Sequence, residues 1–90
     1  MLEIKFTSKF KKDYKLIKKR GMNINLLKEI VNKLANNIPL EEKFKDHELM
    51  GNYKGFRECH IQPDWLLIYL IEDNKLTLTL SRTGTHSDLF

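Results

Sequence analysis

His47, His60 and His86, side chains able to exchange a proton near neutral pH, all fall in the second half of this 90-residue sequence. Asp64, Glu58 and Arg82 stand in the same half, so carboxylates and a permanently charged guanidinium accompany the imidazoles. A histidine with an ordinary pKa of about 6.5 serves as either acid or base. Together these residues describe an acid–base patch. Each also has an ordinary structural use, as a surface or capping His, as a turn Asp after Pro63, or as an Arg82 paired with Asp64 or Asp88. Cys59 directly precedes His60, and strand alternation would put the two on opposite faces, with Glu58 beside His60. Cys59 and His60 therefore cannot act as nucleophile and base, and Cys59 is expected as a buried thiol. His47, His60, His86 and Asp64 have ligand types that suit zinc, but their spacing is that of no compact zinc motif.

The elements that must position these residues follow from periodicity. Leu2, Ile4 and Phe6 alternate with Glu3 and Lys5, the period of a half-buried strand, and Thr7-Ser8 then offers a helix N-cap. Phe10, Tyr14 and Ile17 form one face of a helix whose other side carries Lys11, Lys12, Lys15, Lys18 and Lys19, and Gly21 ends it. Leu27, Ile30, Val31, Leu34, Ala35 and Ile38 keep helical spacing up to Pro39, so two helices form an antiparallel hairpin. Residues 39–55 read as a functional loop. Residues 56–61 and 65–71, then Leu76, Leu78 and Leu80, read as three strands separated by Gln62-Pro63-Asp64 and by Glu72-Asp73-Asn74. The middle strand is apolar throughout and should be buried on both faces. Residues 82–90 read as a polar, loop-like tail. The prediction is a single α+β domain over residues 1–90, β-α-α-β-β-β, an antiparallel sheet with a helical hairpin packed on one face. One conflict stands: strict alternation puts Arg82 on the face of Leu76, Leu78 and Leu80, so the strand must end or bulge before it, or that face must be open there.

Charge separates the same two halves. Residues 1–20 hold eight basic and two acidic side chains, residues 21–46 four of each, and residues 47–90 four basic and six acidic, net +6, 0 and −2. The overall charge is +4, and the basic surplus lies on the first helix, away from the histidines. A surface that attracts anions and a solvated helix face both fit that pattern. One cysteine excludes an internal disulfide and suits a reducing compartment. The N-terminal residues form no secretion signal, and the longest apolar run, residues 65–71, is far short of the roughly 20 residues of a membrane helix. The expectation is a cytoplasmic protein.

Four blocks sharpen the reading. Asp46-His47-Glu48-Leu49 with Gly51, Gly55-Phe56-Arg57-Glu58-Cys59-His60-Ile61, Pro63-Asp64-Trp65-Leu66-Leu67-Ile68-Tyr69, and Arg82-Thr83-Gly84-Thr85-His86-Ser87-Asp88-Leu89-Phe90 resemble the YafQ-type toxins of the RelE superfamily. The blocks span residues 46–90, and the first half matches in its pattern of a strand and a helical hairpin. Glu48 departs from the family, which commonly has proline there. The resemblance implies an endoribonuclease that cleaves messenger RNA in the ribosomal A site, the toxin of a type II toxin–antitoxin pair, using no metal or other cofactor. By position, His47, His60, Asp64, Arg82 and His86 match the family's catalytic set. Trp65 and Phe90 match residues that support or contact the RNA, and Glu58 is a further addition.

The residue types suit that chemistry. RNA is cut without metal when its own 2′-hydroxyl attacks the adjacent phosphate, which requires a base, an acid for the departing 5′ oxygen, and a cation for the growing phosphate charge. His86 is expected as the acid, Asp64 or a His partnered with it as the base, and Arg82 as the phosphate cation. His47 and His60 would complete the proton network and orient the phosphate. The implied partners are messenger RNA, the ribosome and an acidic antitoxin. The alternative readings are a gyrase-poisoning toxin of the same fold or a basic RNA-binding module, neither of which needs three His with Asp64 and Arg82.

Overall fold

The computed structural model describes residues 1–72 and 77–90. Its elements are β1 (Glu3–Phe6), α1 (Ser8–Lys19), α2 (Ile24–Ala35), a 3₁₀ turn (Glu42–Phe44), β2 (His47–Glu48), a second 3₁₀ turn (Gly51–Tyr53), β3 (Arg57–Gln62), β4 (Trp65–Glu72), β5 (Thr77–Gly84) and α3 (His86–Leu89). The predicted turn residues Asp73 and Asn74 and the strand position of Leu76 lie outside the described residues.

The helical hairpin forms as its sequence dictates. The Thr7 hydroxyl accepts the Phe10 N–H at 3.0 Å and caps α1, and Phe10, Asp13 and Ile17 make its buried stripe. α2 stops at Ala35, three residues before the predicted end at Ile38. Asn37 turns into the left-handed region at φ 56°, and the Ile38 and Asn37 N–H groups donate to the carbonyls of Lys33 and Leu34. This pair of bonds is a Schellman stop, which satisfies the orphan carbonyls before Pro39 is reached and leaves Ile38 exposed.

The α+β class holds, but the sheet is mixed rather than antiparallel. Its strand order is β1-β5-β4-β3-β2, with β1 parallel to β5 in the register Glu3↔Thr77 to Phe6↔Leu80 and the remaining pairs antiparallel. A long connection is what a parallel neighbour requires, and the helical hairpin begins one that lets β1 cover the free edge of β5. β2 is a two-residue strand inside the predicted loop, paired His47↔Glu58 and Glu48↔Arg57. Of the predicted loop-like tail, Arg82, Thr83 and Gly84 continue β5, and His86–Leu89 fold into α3. Thr85 and Asp88 build a reciprocal capping box there, each side chain accepting the other's backbone N–H.

β4 is buried on both faces, as its apolar run requires. On one face Cys59, Ile61, Trp65, Leu67, Tyr69, Leu78 and Leu80 pack against Phe10, Ile17, Leu27, Ile30 and Leu34 of the hairpin. On the other, Leu66 and Ile68 pack with Leu89 of α3, flanked by Leu49, Tyr53 and Phe56. The fate of Arg82 is decided by a bulge. Pairing along β4 and β5 steps from Tyr69↔Leu80 to Ile68↔Arg82, leaving Ser81 as an extra residue. Leu78 and Leu80 therefore stay on the hairpin face, while Arg82 crosses to the face of Ile68. β1 ends opposite Leu80, and α1 takes over that edge: Thr7 N–H donates to Leu80 O at 3.1 Å and its hydroxyl to Ser81 O at 2.6 Å.

Candidate active site

Residues paired across neighbouring strands project from the same face, so the register shows which side chains meet. His47↔Glu58↔Ile68↔Arg82 forms one row across β2, β3, β4 and β5, and His60↔Leu66↔Gly84 forms the next row of that face. The sheet face away from the helical hairpin thus collects two imidazoles, a carboxylate and a guanidinium over an apolar floor of Leu66 and Ile68. Cys59 lies on the hairpin side, and burial pushes its thiol up to about 12, so it is no nucleophile.

Glu58 organises the near end. Glu58 is 5 % exposed, and one oxygen of its carboxylate, Oε1, stands 3.5 Å from His47 Nε2 and 3.6 Å from His60 Nε2. The other nitrogen of each ring meets a backbone carbonyl, His47 Nδ1 at Lys45 O (2.5 Å) and His60 Nδ1 at Pro63 O (3.3 Å). Each ring thus has an oxygen beside both of its nitrogens. The loop bearing His47 is anchored just before it, where Asp46 accepts from the Tyr69 hydroxyl (2.5 Å) and from Arg57 Nε (3.2 Å).

α3 supplies the far end. His86 places its backbone N–H and its ring Nδ1 on the same Asp64 oxygen, at 3.2 and 3.1 Å. A carboxylate accepts only, so Nδ1 carries the hydrogen and Nε2 is the nitrogen left for a substrate. Those bonds from His86 hold the Asp64 carboxyl below its ordinary range, although Asp64 is exposed in the β3–β4 turn. The His86 ring lies 5.9 Å from that of His60 and 6.4 Å from that of Phe90, with His47 a further 6.2 Å beyond His60. α3 is itself clamped, since Arg20 at the end of α1 grips Asp88 through two bonds of 2.7 and 3.2 Å. Arg20 and the Thr85 N–H hold Asp88 well below the usual carboxylate range. Gly84 makes room for this, because a Cβ there would come within 2.9 Å of Asp88 Oδ2.

Arg82 is held from behind. Asp13 of α1 accepts Arg82 Nε at 2.6 Å and Nη2 at 3.0 Å, and also the Thr83 N–H at 3.1 Å. These bonds raise the guanidinium further above its already high value. The Tyr53 hydroxyl lies beside it, and the Tyr53 ring meets Phe90 edge-on at 5.7 Å. Arg82, Tyr53, Phe90 and His86 therefore form a continuous arc around the floor. Such a face can remove one proton, deliver another and neutralise an anion between them.

A family model described as the bacterial toxin of a type II toxin–antitoxin system, YafQ, matches residues 2–90. The chain belongs to the YafQ toxin family. The mRNA interferase toxin YafQ of Escherichia coli K12 is 44 % identical over 89 residues, which cover 98 % of this chain and 95 % of that one. YafQ in the E. coli DinJ–YafQ complex superimposes with a TM-score of 0.90 at 43 % identity, covering 100 % of this chain and 99 % of that one. A metal-bound toxin from Helicobacter pylori superimposes with a TM-score of 0.93 at 49 % identity, covering 100 % of both chains.

Of the residues that the YafQ resemblance pointed to, His47, Glu58, His60, Asp64, His86 and Phe90 are brought together, with Arg82 in the same row as Glu58. Trp65 is not. It is 1 % exposed on the hairpin face, where its Nε1–H donates to Thr83 Oγ1 at 2.9 Å while that hydroxyl donates to Leu66 O at 2.7 Å. Trp65 is placed to support the strands under the site. Among the described residues, no three His, Cys, Asp or Glu side chains are grouped as metal ligands. Asp13, Arg20 and Tyr53 escaped the sequence reading. Asp13 had a legible signal, an acid between Phe10 and Ile17 on the inward stripe of a lysine-covered helix. Arg20 and Tyr53 had none, because each reaches its partner through the fold.

Proposed function

We propose that this YafQ-family toxin is an mRNA interferase, a ribosome-dependent endoribonuclease built as one domain over residues 1–90. The observation that carries the reading is the line of three imidazoles with Asp64 bonded to His86 and Glu58 set between His47 and His60. The attacking group is the RNA's own 2′-hydroxyl. Asp64 is engaged by both N–H groups of His86, so the base comes from the His47–Glu58–His60 group. His86, oriented through Nδ1, delivers a proton from Nε2 to the departing 5′ oxygen. Arg82 neutralises the phosphate oxygens as charge builds on them. The exposed Phe90 offers its ring to a base.

Lys11, Lys12, Lys15, Lys18 and Lys19 are all exposed on α1, and this face draws the toxin to ribosomal RNA by long-range attraction. A cognate antitoxin binds the protein, as DinJ does YafQ in the E. coli DinJ–YafQ complex. Its place of action is the cytoplasm; among the described residues, no helix is long and apolar enough to cross a membrane.

Message ends mapped after cell-free translation with the wild type and with His86→Ala test the reading. Wild type should leave a 2′,3′-cyclic phosphate and a 5′-hydroxyl, in EDTA as without it, and His86→Ala should leave the message intact. Ends carrying a 5′-phosphate would refute the mechanism. Blocked replication with no new message ends would favour the gyrase-poisoning alternative.

A further inference from the structure

We propose that Asp13 is a positioning residue for Arg82: it occupies the Nε/Nη2 edge of the guanidinium and leaves Nη1 and the second Nη2 hydrogen for a substrate phosphate. The proposal rests on the reading of Arg82 as the phosphate-binding cation. A guanidinium has five N–H donors in a rigid fork, and which of them meets the phosphate decides both distance and angle. Asp13 takes the Nε hydrogen at 2.6 Å and one Nη2 hydrogen at 3.0 Å. The three remaining hydrogens lie toward the end of the fork.

Three further observations make this a built arrangement. Asp13 faces inward on a helix whose other charged side chains are exposed lysines, so its placement is specific to this contact. Its Oδ2 also accepts the Thr83 N–H at 3.1 Å, on the edge of β5 that β1 has ceased to cover. Thr7 holds the Leu80 and Ser81 carbonyls just before it. α1 thus pins both sides of the bulge that turns Arg82 toward the histidine face, and Asp13 then fixes the rotation of its fork. The Tyr53 hydroxyl lies beside the same guanidinium, and its ring joins Phe90 and through it His86. The guanidinium is therefore gripped along one edge by Asp13 and neighboured by the groups that would flank a scissile phosphate.

The test is a double-mutant cycle on message cleavage by ribosome-bound toxin, using Asp13→Asn, Arg82→Ala and the pair. Asp13→Asn keeps the shape and one acceptor but loses the forked grip, and should lower kcat about 10- to 100-fold with a smaller change in KM, the usual cost of losing an orienting partner. In the Arg82→Ala background the same substitution should change kcat less than about twofold. A loss of equal size in both backgrounds would overturn the role of Asp13 while leaving Arg82 in the site. Full cleavage by Arg82→Ala would overturn both. Asp13→Glu, which retains charge and both acceptors, runs in parallel to cover poor folding of the Asn variant, and should show the same non-additivity. The Arg82 Nε–H proton signal should be sharp and slow to exchange in the wild type and lost in Asp13→Asn; its persistence in the variant would also refute the proposal.

Discussion

Thr83→Val removes one oxygen from beneath the site, and its cost can be worked from two bonds. The Thr83 hydroxyl accepts from Trp65 Nε1 at 2.9 Å and donates to Leu66 O at 2.7 Å, with Thr83 and Trp65 each 1 % exposed. Valine has nearly the same shape and suits a strand as well as threonine does, so neither packing nor propensity changes much. What changes is that the indole N–H keeps its place with no acceptor and no water to replace it. An orphaned buried donor costs about 1–3 kcal/mol, and the carbonyl adds a smaller loss because its strand pairing remains. We expect about 2 kcal/mol. In a domain of this size 1 kcal/mol moves the midpoint by roughly 4–8 °C, so Tm should fall by about 8–16 °C. Urea unfolding of wild type, Thr83→Val, Trp65→Phe and the double variant isolates the term. Thr83→Val should cost markedly less in the Trp65→Phe background, where no donor is left to orphan. A penalty under 0.5 kcal/mol, or the same penalty in both backgrounds, would show that this bond does not hold β4 and β5 in register.

Phe90→Ala should lower message cleavage at least tenfold while costing about 1 kcal/mol or less, since the ring is 63 % exposed and its aromatic contacts are worth only about that much; equal activity in a primer-extension assay would remove Phe90 from the site. Acid should release α3 early. The Asp88 carboxyl is depressed by Arg20, so its contribution is complete above its unfolded pKa of about 3.9 and is lost as pH falls below that toward the lower folded value. The His86 and Leu89 amide signals should therefore broaden in acid before those of β4, and Arg20→Ala should abolish that separation; simultaneous loss of both regions in wild type would count against it. Charge reversal at Lys12, Lys15 and Lys19 should flatten the salt dependence of ribosome binding, by about 0.7–0.9 in log–log slope for each phosphate contact removed; an unchanged slope would return this face to plain solvation.

Periodicity carried the parts of the fold that depend on local pattern. The stripe Phe10, Tyr14 and Ile17, the apolar run of β4 and the shared face of Glu58 and His60 all stand as alternation and helical spacing require. What depends on distant partners was not legible. β1 pairs with β5 across more than seventy residues, which no local pattern reports. α2 ended early because Asn37 adopts φ 56°, a choice that Asn permits but does not announce. α3 was closer to legible, since Thr85 and Asp88 have capping-box spacing, but four residues are too few to show a helical period. The histidines could be nominated from sequence, and four contiguous blocks made the nomination specific. The grip of Asp13 on Arg82 joins residues 69 positions apart and had to be seen.

The extra residue at Ser81 leaves a mark that can be read in other sequences. With it, the last core leucine and the arginine of the opposite face are separated by two positions, Leu80 and Arg82, a spacing that regular alternation assigns to a single face. A relative that lacked the insertion but kept the same site would have to carry its arginine one or three positions after that leucine. The parity of that interval therefore reports, without coordinates, whether a homologue bends its last strand here. An alignment that slides a gap across this segment exchanges a core position for a reactive one.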